Sequence, residues 1–283
     1  MSRVAYVNGR YVPHGMAAVH IEDRGYQLAD GVYEVCEVRG GRLIDEARHM
    51  ARLARSLGEL RITAPVGPAA LGVILREVVR RNRVAEGLAY VQLTRGVAPR
   101  DHGFPAKPVR AALVVTARTI SLAARDARAA KGVAVITTPE TRWARVDIKT
   151  IGLTANVLAK QAAHEAGAFE AWFVDRDGFV TEGSSSNAWI VTKQGAVVTR
   201  PADTAILRGV TRSLLIDILK REKLTFEERP FSVKEALIAR EAFLTSATTA
   251  ATPIVAIDGK AVGDGKPGPV ATALRAHVLR HES

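Results

Sequence analysis

Cysteine is nearly absent: Cys36 is alone in 283 residues, which excludes an internal disulfide framework. It stands in the apolar run Gly31-Val32-Tyr33-Glu34-Val35-Cys36 and reads as an inert core residue. No apolar stretch approaches the ~18 residues of a membrane span. The first apolar run is broken at Asn8-Gly9-Arg10, so no signal pattern is present, and a reduced, cytoplasmic location is expected. Aromatic residues are scarce at 5%, and neither an RNP-type aromatic motif, a zinc-ligand spacing nor a basic heptad region occurs. The P-loop is missing too, and the one Gly-x-Gly-x-x-Gly spacing, Gly263 to Gly268, follows the Asp258-Gly259 hairpin and opens no strand–helix–strand unit, which leaves dinucleotide and nucleoside-triphosphate sites without support. Acidic residues are outnumbered, 29 against 40 basic, for a net charge of +11. The basic residues are spread along the chain, with only short pairs such as Arg80-Arg81. That distribution argues against nucleic-acid and membrane partners and suits small anionic substrates; a basic binding protein without chemistry is the distant alternative.

What is present is a globular composition, 47% hydrophobic and 24% charged. Asn8-Gly9 predicts a hairpin between 5–7 and 10–12. Strands are expected at 31–38 and 42–44, then a helix from Asp45 to Leu60 with Asp45 as N-cap and Met50, Leu53, Leu57 and Leu60 on one face. A second helix follows at 68–82, then strands at 88–94 and 110–117. After a linker or short helix, strands are read at 132–138 and 143–149 and a helix at 154–165. Hairpins are centred on Asp177-Gly178, 193–195 and Asp258-Gly259. Helices begin near Thr211, at the Ser232-x-x-Glu235 box and at Pro269. The fold class is α+β with mainly antiparallel sheets and flanking helices. The division reads as a small α+β domain over 1–119, an interdomain linker over 120–130, and a large α+β domain over 131–283 carrying Lys149.

Five stretches carry candidate chemistry. From Trp143 to Thr150 polar and apolar residues alternate, placing Lys149 on an ionic face. Alone, this reads equally as a solvated edge strand or as a lysine held to attack a carbonyl. Thr181-Glu182-Gly183-Ser184-Ser185-Ser186-Asn187 sets a carboxylate at a strand end and lacks the Gly-x-Ser-x-Gly elbow of a serine nucleophile. Leu207-Arg208-Gly209-Val210-Thr211 enters a helix whose first N–H groups suit an anion. Leu244-Thr245-Ser246-Ala247-Thr248-Thr249 ends a strand in hydroxyls, and Arg100-x-His102 can grip a carboxylate from a loop. Each has an ordinary structural explanation. Together they describe one ligand with an aldehyde for Lys149, a basic ring nitrogen for Glu182, and a phosphate for the Gly209–Thr211 helix start and Ser246. That ligand is pyridoxal phosphate; no metal site is read.

The sequence also resembles the fold-type IV pyridoxal-phosphate aminotransferases, and among them the D-amino-acid aminotransferases. The matching segments run in family order: Asp30-Gly31-Val32-Tyr33-Glu34-Val35, His49-x-x-Arg52-Leu53, Thr94-Arg95-Gly96, Arg100-x-His102, Arg142-Trp143, Asp147-Ile148-Lys149, Ala159-Lys160-Gln161, Thr181 to Asn187, Gly209-Val210-Thr211 and Thr245-Ser246. The resemblance implies that Lys149 forms a Schiff base with the cofactor and shuttles the substrate proton. Glu182 would pair with the ring nitrogen and Leu207 would pack on the ring. Arg52, the Val210 and Thr211 N–H groups, the Thr211 hydroxyl and Ser246 would hold the phosphate. Tyr33, Arg100 and His102 would bind the substrate α-carboxylate, with Arg100 and His102 supplied across a homodimer. One position departs: Ala247 stands where relatives often have threonine. A hydroxyl contact of about 1.5–3 kcal/mol would be lost there while the N–H remains. The implied reaction is ping-pong transamination between D-alanine, D-glutamate or D-aspartate and pyruvate or 2-oxoglutarate. Branched-chain L-aminotransferases and aminodeoxychorismate lyases are the alternatives on the same fold.

Overall fold

Side chains alternate across a strand, so each strand of a half-covered sheet sorts its residues onto two faces. The computed structural model describes residues 3–281 and shows this sorting in the first of two compact units. That unit takes the chain through Ser121 together with Ile148–Gly152. It begins with β1 (Val4–Val7) and β2 (Arg10–Pro13), joined as expected by Asn8 (φ 47°) and Gly9 (φ 103°). Then come α1 (Arg24–Leu28), β3 (Gly31–Arg39), β4 (Arg42–Leu43), α2 (Glu46–Glu59), α3 (Pro68–Arg81), β5 (Gly87–Thr94) and β6 (Ala112–Thr119). The antiparallel sheet has the order β2-β1-β6-β5-β3-β4. Leu53 and Leu57 of α2 and Leu71, Leu75 and Val78 of α3 pack on one face, against Val32, Cys36, Val38, Val91 and Val115. Asp45 does precede α2, but at φ 53° and without a side-chain capping bond.

β4 pairs only with Val38 and Arg39, which leaves the other end of the β3 edge uncovered. Ile148–Gly152 takes that place. The Tyr33 N–H donates to the Lys149 carbonyl at 3.0 Å and the Ile151 N–H to the Gly31 carbonyl at 3.1 Å. Val32 bridges Thr150, and Ile148 joins the core at 4% exposure. Two expectations are corrected here. Residues 143–149 are not a strand: 144–147 form a turn in which Arg145 grips Asp147 through Nε (2.9 Å) and Nη2 (3.0 Å). The alternating charges therefore pair with each other instead of lining a strand face. And Lys149, assigned from sequence to the second domain, belongs to the first unit.

The second unit comprises Leu122–Asp147 and Leu153–His281. It opens with α4 (Leu122–Lys131), a helix of the unit itself where an interdomain linker was expected. Then follow β7 (Val133–Pro139), α5 (Thr154–Glu165), β8 (Glu170–Val174), β9 (Val180–Gly183), β10 (Asn187–Val191), β11 (Val197–Thr199) and α6 (Val210–Arg221). The chain continues through β12 (Phe226–Glu228), α7 (Val233–Ile238), β13 (Glu241–Ser246), β14 (Ala250–Ile257), β15 (Lys260–Ala261) and α8 (Pro269–Arg280). The sheet order is β12-β11-β10-β13-β14-β7-β8-β9, with β15 on β14. Most pairs are antiparallel, but β11/β12, β14/β7 and β7/β8 are parallel. All five residues of β10 are buried, because layers cover both faces. Trp189 and Val191 meet Leu214 and Leu215 of α6 and Leu274 of α8, while Ala188 and Ile190 meet Phe231 and Ala236. The Ser232 hydroxyl caps the Glu235 N–H, but the Glu235 carboxylate turns to Arg229 at 2.6 Å instead of closing the box. Among the described residues no helix is long and apolar enough to cross a membrane.

The seat of the lysine segment on β3 is tight. A Cβ at Gly31 would lie 2.7 Å from the Leu93 carbonyl oxygen and 3.0 Å from Ile151 Cδ1. Gly31→Ala is expected to destabilise the protein by about 1–3 kcal/mol in urea unfolding. A variant as stable as the parent would contradict this close approach.

Candidate active site

In the first unit, the parity of β3 divides the site residues. Odd positions lie opposite the helix-covered face. Tyr33 stands there beside Tyr90, ring centroids 5.6 Å apart, and the Lys149 Nζ lies 4.1 Å from the Tyr33 ring centroid. Burial first, and then the neighbouring Tyr33, push the Tyr90 hydroxyl up to about 12. Lys149 is partly buried and has no carboxylate partner among the described residues; its N–H donates to Ser56 Oγ at 3.3 Å. Even positions point to α2. Glu34, fully buried, accepts from Arg52 Nε (2.7 Å) and Nη2 (2.8 Å) and is bonded to His49 Nδ1 (2.8 Å). His49 and Arg52 are three residues apart, so one helix face presents both. Burial acts to raise the Glu34 pKa, but Arg52 and then His49 outweigh it and hold the carboxyl down at about 2. Arg100 and His102 are exposed on the loop after β5.

The second unit gathers the other residues. Glu182, at the end of β9 and 5% exposed, accepts from Arg142 Nη1 at 2.6 Å on Oε1. On Oε2 it accepts from Asn187 Nδ2 at 2.9 Å and the Leu207 N–H at 3.1 Å. Asn187 Nδ2 also donates to the Leu207 carbonyl at 2.9 Å, tying Glu182 to the segment that enters α6. Glycine is required beside it: a Cβ at Gly209 would lie 2.1 Å from Asn187 Oδ1. Glu140 takes the rest of Arg142 through Nε (2.9 Å) and Nη2 (2.6 Å). Burial acts to lower the Arg142 pKa, but Glu140 and Glu182 outweigh it and hold the guanidinium above its ordinary value.

α6 starts at Val210, beside Thr211 as expected, with Gly209 as a cap that has no side chain. The Val210 and Thr211 N–H groups therefore lack an intrahelical acceptor. At the end of β13 the Ser246 hydroxyl is bonded to Thr248 (3.0 Å) and Thr249 (2.8 Å), with half-buried Ala247 between them, while Thr245 is occupied by Trp189 Nε1 at 2.9 Å. The hydroxyls of Ser184, Ser185 and Ser186 all turn to buried Glu170, so they brace the turn after Glu182. Sequence reasoning named Glu182 and Arg52 but not the groups that hold them. Arg142, Asn187, Glu34 and His49 were visible only as members of longer motifs; Glu140 and Glu170 gave no signal.

The first unit thus holds a partly buried lysine, and the second a braced, buried carboxylate and a helix start with no side-chain cap. The chain belongs to amino-transferase class IV, whose pattern it matches over residues 31–257, and its fold is that of the fold-type IV enzymes. It is 42% identical over 276 residues to a D-alanine aminotransferase of Bacillus licheniformis, covering 96% of each chain. It is 37% identical to that of Staphylococcus haemolyticus, covering 95% of this chain and 94% of the relative. A branched-chain amino acid aminotransferase from T.th., solved with pyridoxamine 5'-phosphate, superposes with TM-score 0.90 at 26% identity, over 99% of this chain and 93% of that one. The cofactor is pyridoxal phosphate. Each unit has groups that suit part of it: in the first an amine for an aldehyde, in the second a carboxylate for a ring N–H and the first N–H groups of α6 for a phosphate.

The buried Glu34 pair sets a pH dependence. Its folded pKa is depressed to about 2 from 4.5, so its stabilisation is fully present above about pH 4.5 and is lost as pH falls towards 2. The shift corresponds to about 3 kcal/mol. Glu34→Gln should lower Tm at pH 7 and shrink the difference from the parent between pH 4.5 and 2. An equal difference at both ends would contradict the ionised pair.

Proposed function

We infer that the chain is a pyridoxal-phosphate-dependent D-amino-acid aminotransferase, moving the amino group of D-alanine, D-glutamate or D-aspartate to pyruvate or 2-oxoglutarate. The observation that carries this reading is the 42% identity to a D-alanine aminotransferase along nearly the whole of both chains. The second reading, a branched-chain L-aminotransferase, has the TM-score of 0.90 in its favour but only 26% identity.

When bound, the cofactor supplies an aldehyde that captures amino groups and a protonated ring that accepts electrons from the substrate Cα. Lys149 is the catalytic residue: its amine holds the cofactor between turnovers, then takes the Cα proton and returns it on the other side of the transfer. The Tyr33 ring at 4.1 Å supports the placement of that amine. Glu182, braced by Arg142 and Asn187, would accept from a ring N–H, and Leu207 would pack on the ring. The Val210 and Thr211 N–H groups after Gly209, the Thr211 hydroxyl, Ser246 and the Ala247 N–H hold the phosphate. Arg52, paired with Glu34, is the further phosphate ligand that the family resemblance implies. Tyr33 and, from the partner subunit of a homodimer, Arg100 and His102 bind the substrate α-carboxylate. Exposed Met16, Ile21 and Tyr26, each 75% accessible, support a covering partner. The compartment proposed is the cytoplasm, in keeping with the single free, buried cysteine.

The test is a half-reaction titration of the yellow protein. D-alanine is expected to bleach the visible band, while L-alanine and L-leucine at the same concentration leave it. The reverse preference would favour the branched-chain reading.

A further inference from the structure

We propose that Asp30 is the positioning residue of the Arg100–His102 segment, fixing it at two points through Arg24 and Arg95. The proposal rests on the reading that this segment binds the substrate carboxylate. Arg100 and His102 are exposed and lie between Pro99 and Gly103, where a loop has few contacts of its own. Two donors bind a carboxylate well only when their spacing is held beforehand.

The holding begins at one carboxylate. Asp30 Oδ2 accepts from Arg24 Nε at 2.8 Å and from Arg95 Nε at 2.7 Å, and Oδ1 accepts from Arg95 Nη2 at 2.9 Å. Both guanidiniums are buried, Arg24 at 2% and Arg95 at 8% exposure. Each then reaches the loop. Arg24 Nη1 donates at 2.7 Å to the carbonyl of Asp101, the residue between Arg100 and His102. Arg95 lies 3.8 Å from the ring centroid of Phe104, two residues beyond His102, and Arg61 approaches the same ring at 5.1 Å. The base of the loop is bound to the same segment, by Arg95 N–H to the Asp30 carbonyl (3.0 Å), Arg24 N–H to the Gly96 carbonyl (2.9 Å) and a bridge between Asp23 and Val97. Burial acts to raise the Asp30 pKa, but Arg95 and Arg24 outweigh it and keep the carboxyl below its ordinary range. Arg95 also donates from Nη2 to the Leu60 carbonyl (2.8 Å) and from Nη1 to the Arg61 carbonyl (3.2 Å); asparagine at position 30 would keep one acceptor oxygen for three guanidinium donors, so Arg24 and Arg95 would no longer share one carboxylate.

The experiment is a double-mutant cycle on the holoenzyme, reading KM and kcat for D-alanine and the visible spectrum. Asp30→Asn is expected to raise KM about tenfold with kcat within about twofold and the spectrum unchanged. Phe104→Leu, at a half-exposed ring whose loss the fold tolerates, should raise KM about threefold and carries the test if Asp30→Asn fails to fold. In an Arg100→Ala/His102→Ala background neither substitution should raise KM further, because the segment being positioned has lost both donors. A purely structural role would give additive effects. An unchanged KM in folded Asp30→Asn and Phe104→Leu, or a full rise persisting beside Arg100→Ala/His102→Ala, overturns the proposal. Arg100→Ala leaving KM unchanged would instead overturn the carboxylate role of the segment itself.

Discussion

The uncovered edge of β3 is the constraint on which the placement of Lys149 depends. A sheet edge with unpaired N–H and C=O groups requires a partner, and β4 is too short to reach its beginning. Lys149–Ile151 supplies the partner through two backbone bonds, with Ile148 sunk into the core. The lysine is therefore placed by its neighbours' backbone and burial, not by a bond of its own amine. The same strand then sorts two tasks by parity. Tyr33 faces the lysine, and Glu34, one residue on, faces α2 and anchors Arg52.

The second unit meets a different difficulty, a buried carboxylate. Removing a charge from water is tolerated only with a full set of partners. Glu182 has Arg142, Asn187 and the Leu207 N–H, and Arg142 in turn has Glu140. Because Asn187 and Leu207 also lead into the uncapped start of α6, a ring nitrogen and a phosphate can be addressed by one connected stretch of chain. This continuity explains why Gly209, pressed against Asn187, admits no side chain.

Much of this was legible in the sequence. The Asn8-Gly9 turn, the amphipathic α2 and α3 and the start of α5 follow from local periodicity and turn chemistry, while Lys149 and Glu182 were named as candidates from motif and family resemblance. What was not legible depends on distant partners. The alternation from Trp143 to Lys149 mimicked a strand, because an i,i+2 ion pair in a turn gives the same pattern as an ionic strand face. Parallel pairs such as β7/β8 join segments separated by a whole helix, and no turn dipeptide announces them. The partners Glu34 and Asp30 lie in a motif read for its tyrosine, yet their burial becomes visible only when α2 and the loop after β5 come to rest beside them.

The central claim is that Lys149 carries the cofactor. Borohydride reduction of the yellow protein followed by peptide mapping tests it most directly. The account predicts one pyridoxyl group, on Lys149. A label on another lysine, such as Lys160 beside Phe169 and Glu170, with Lys149 unmodified, would contradict it.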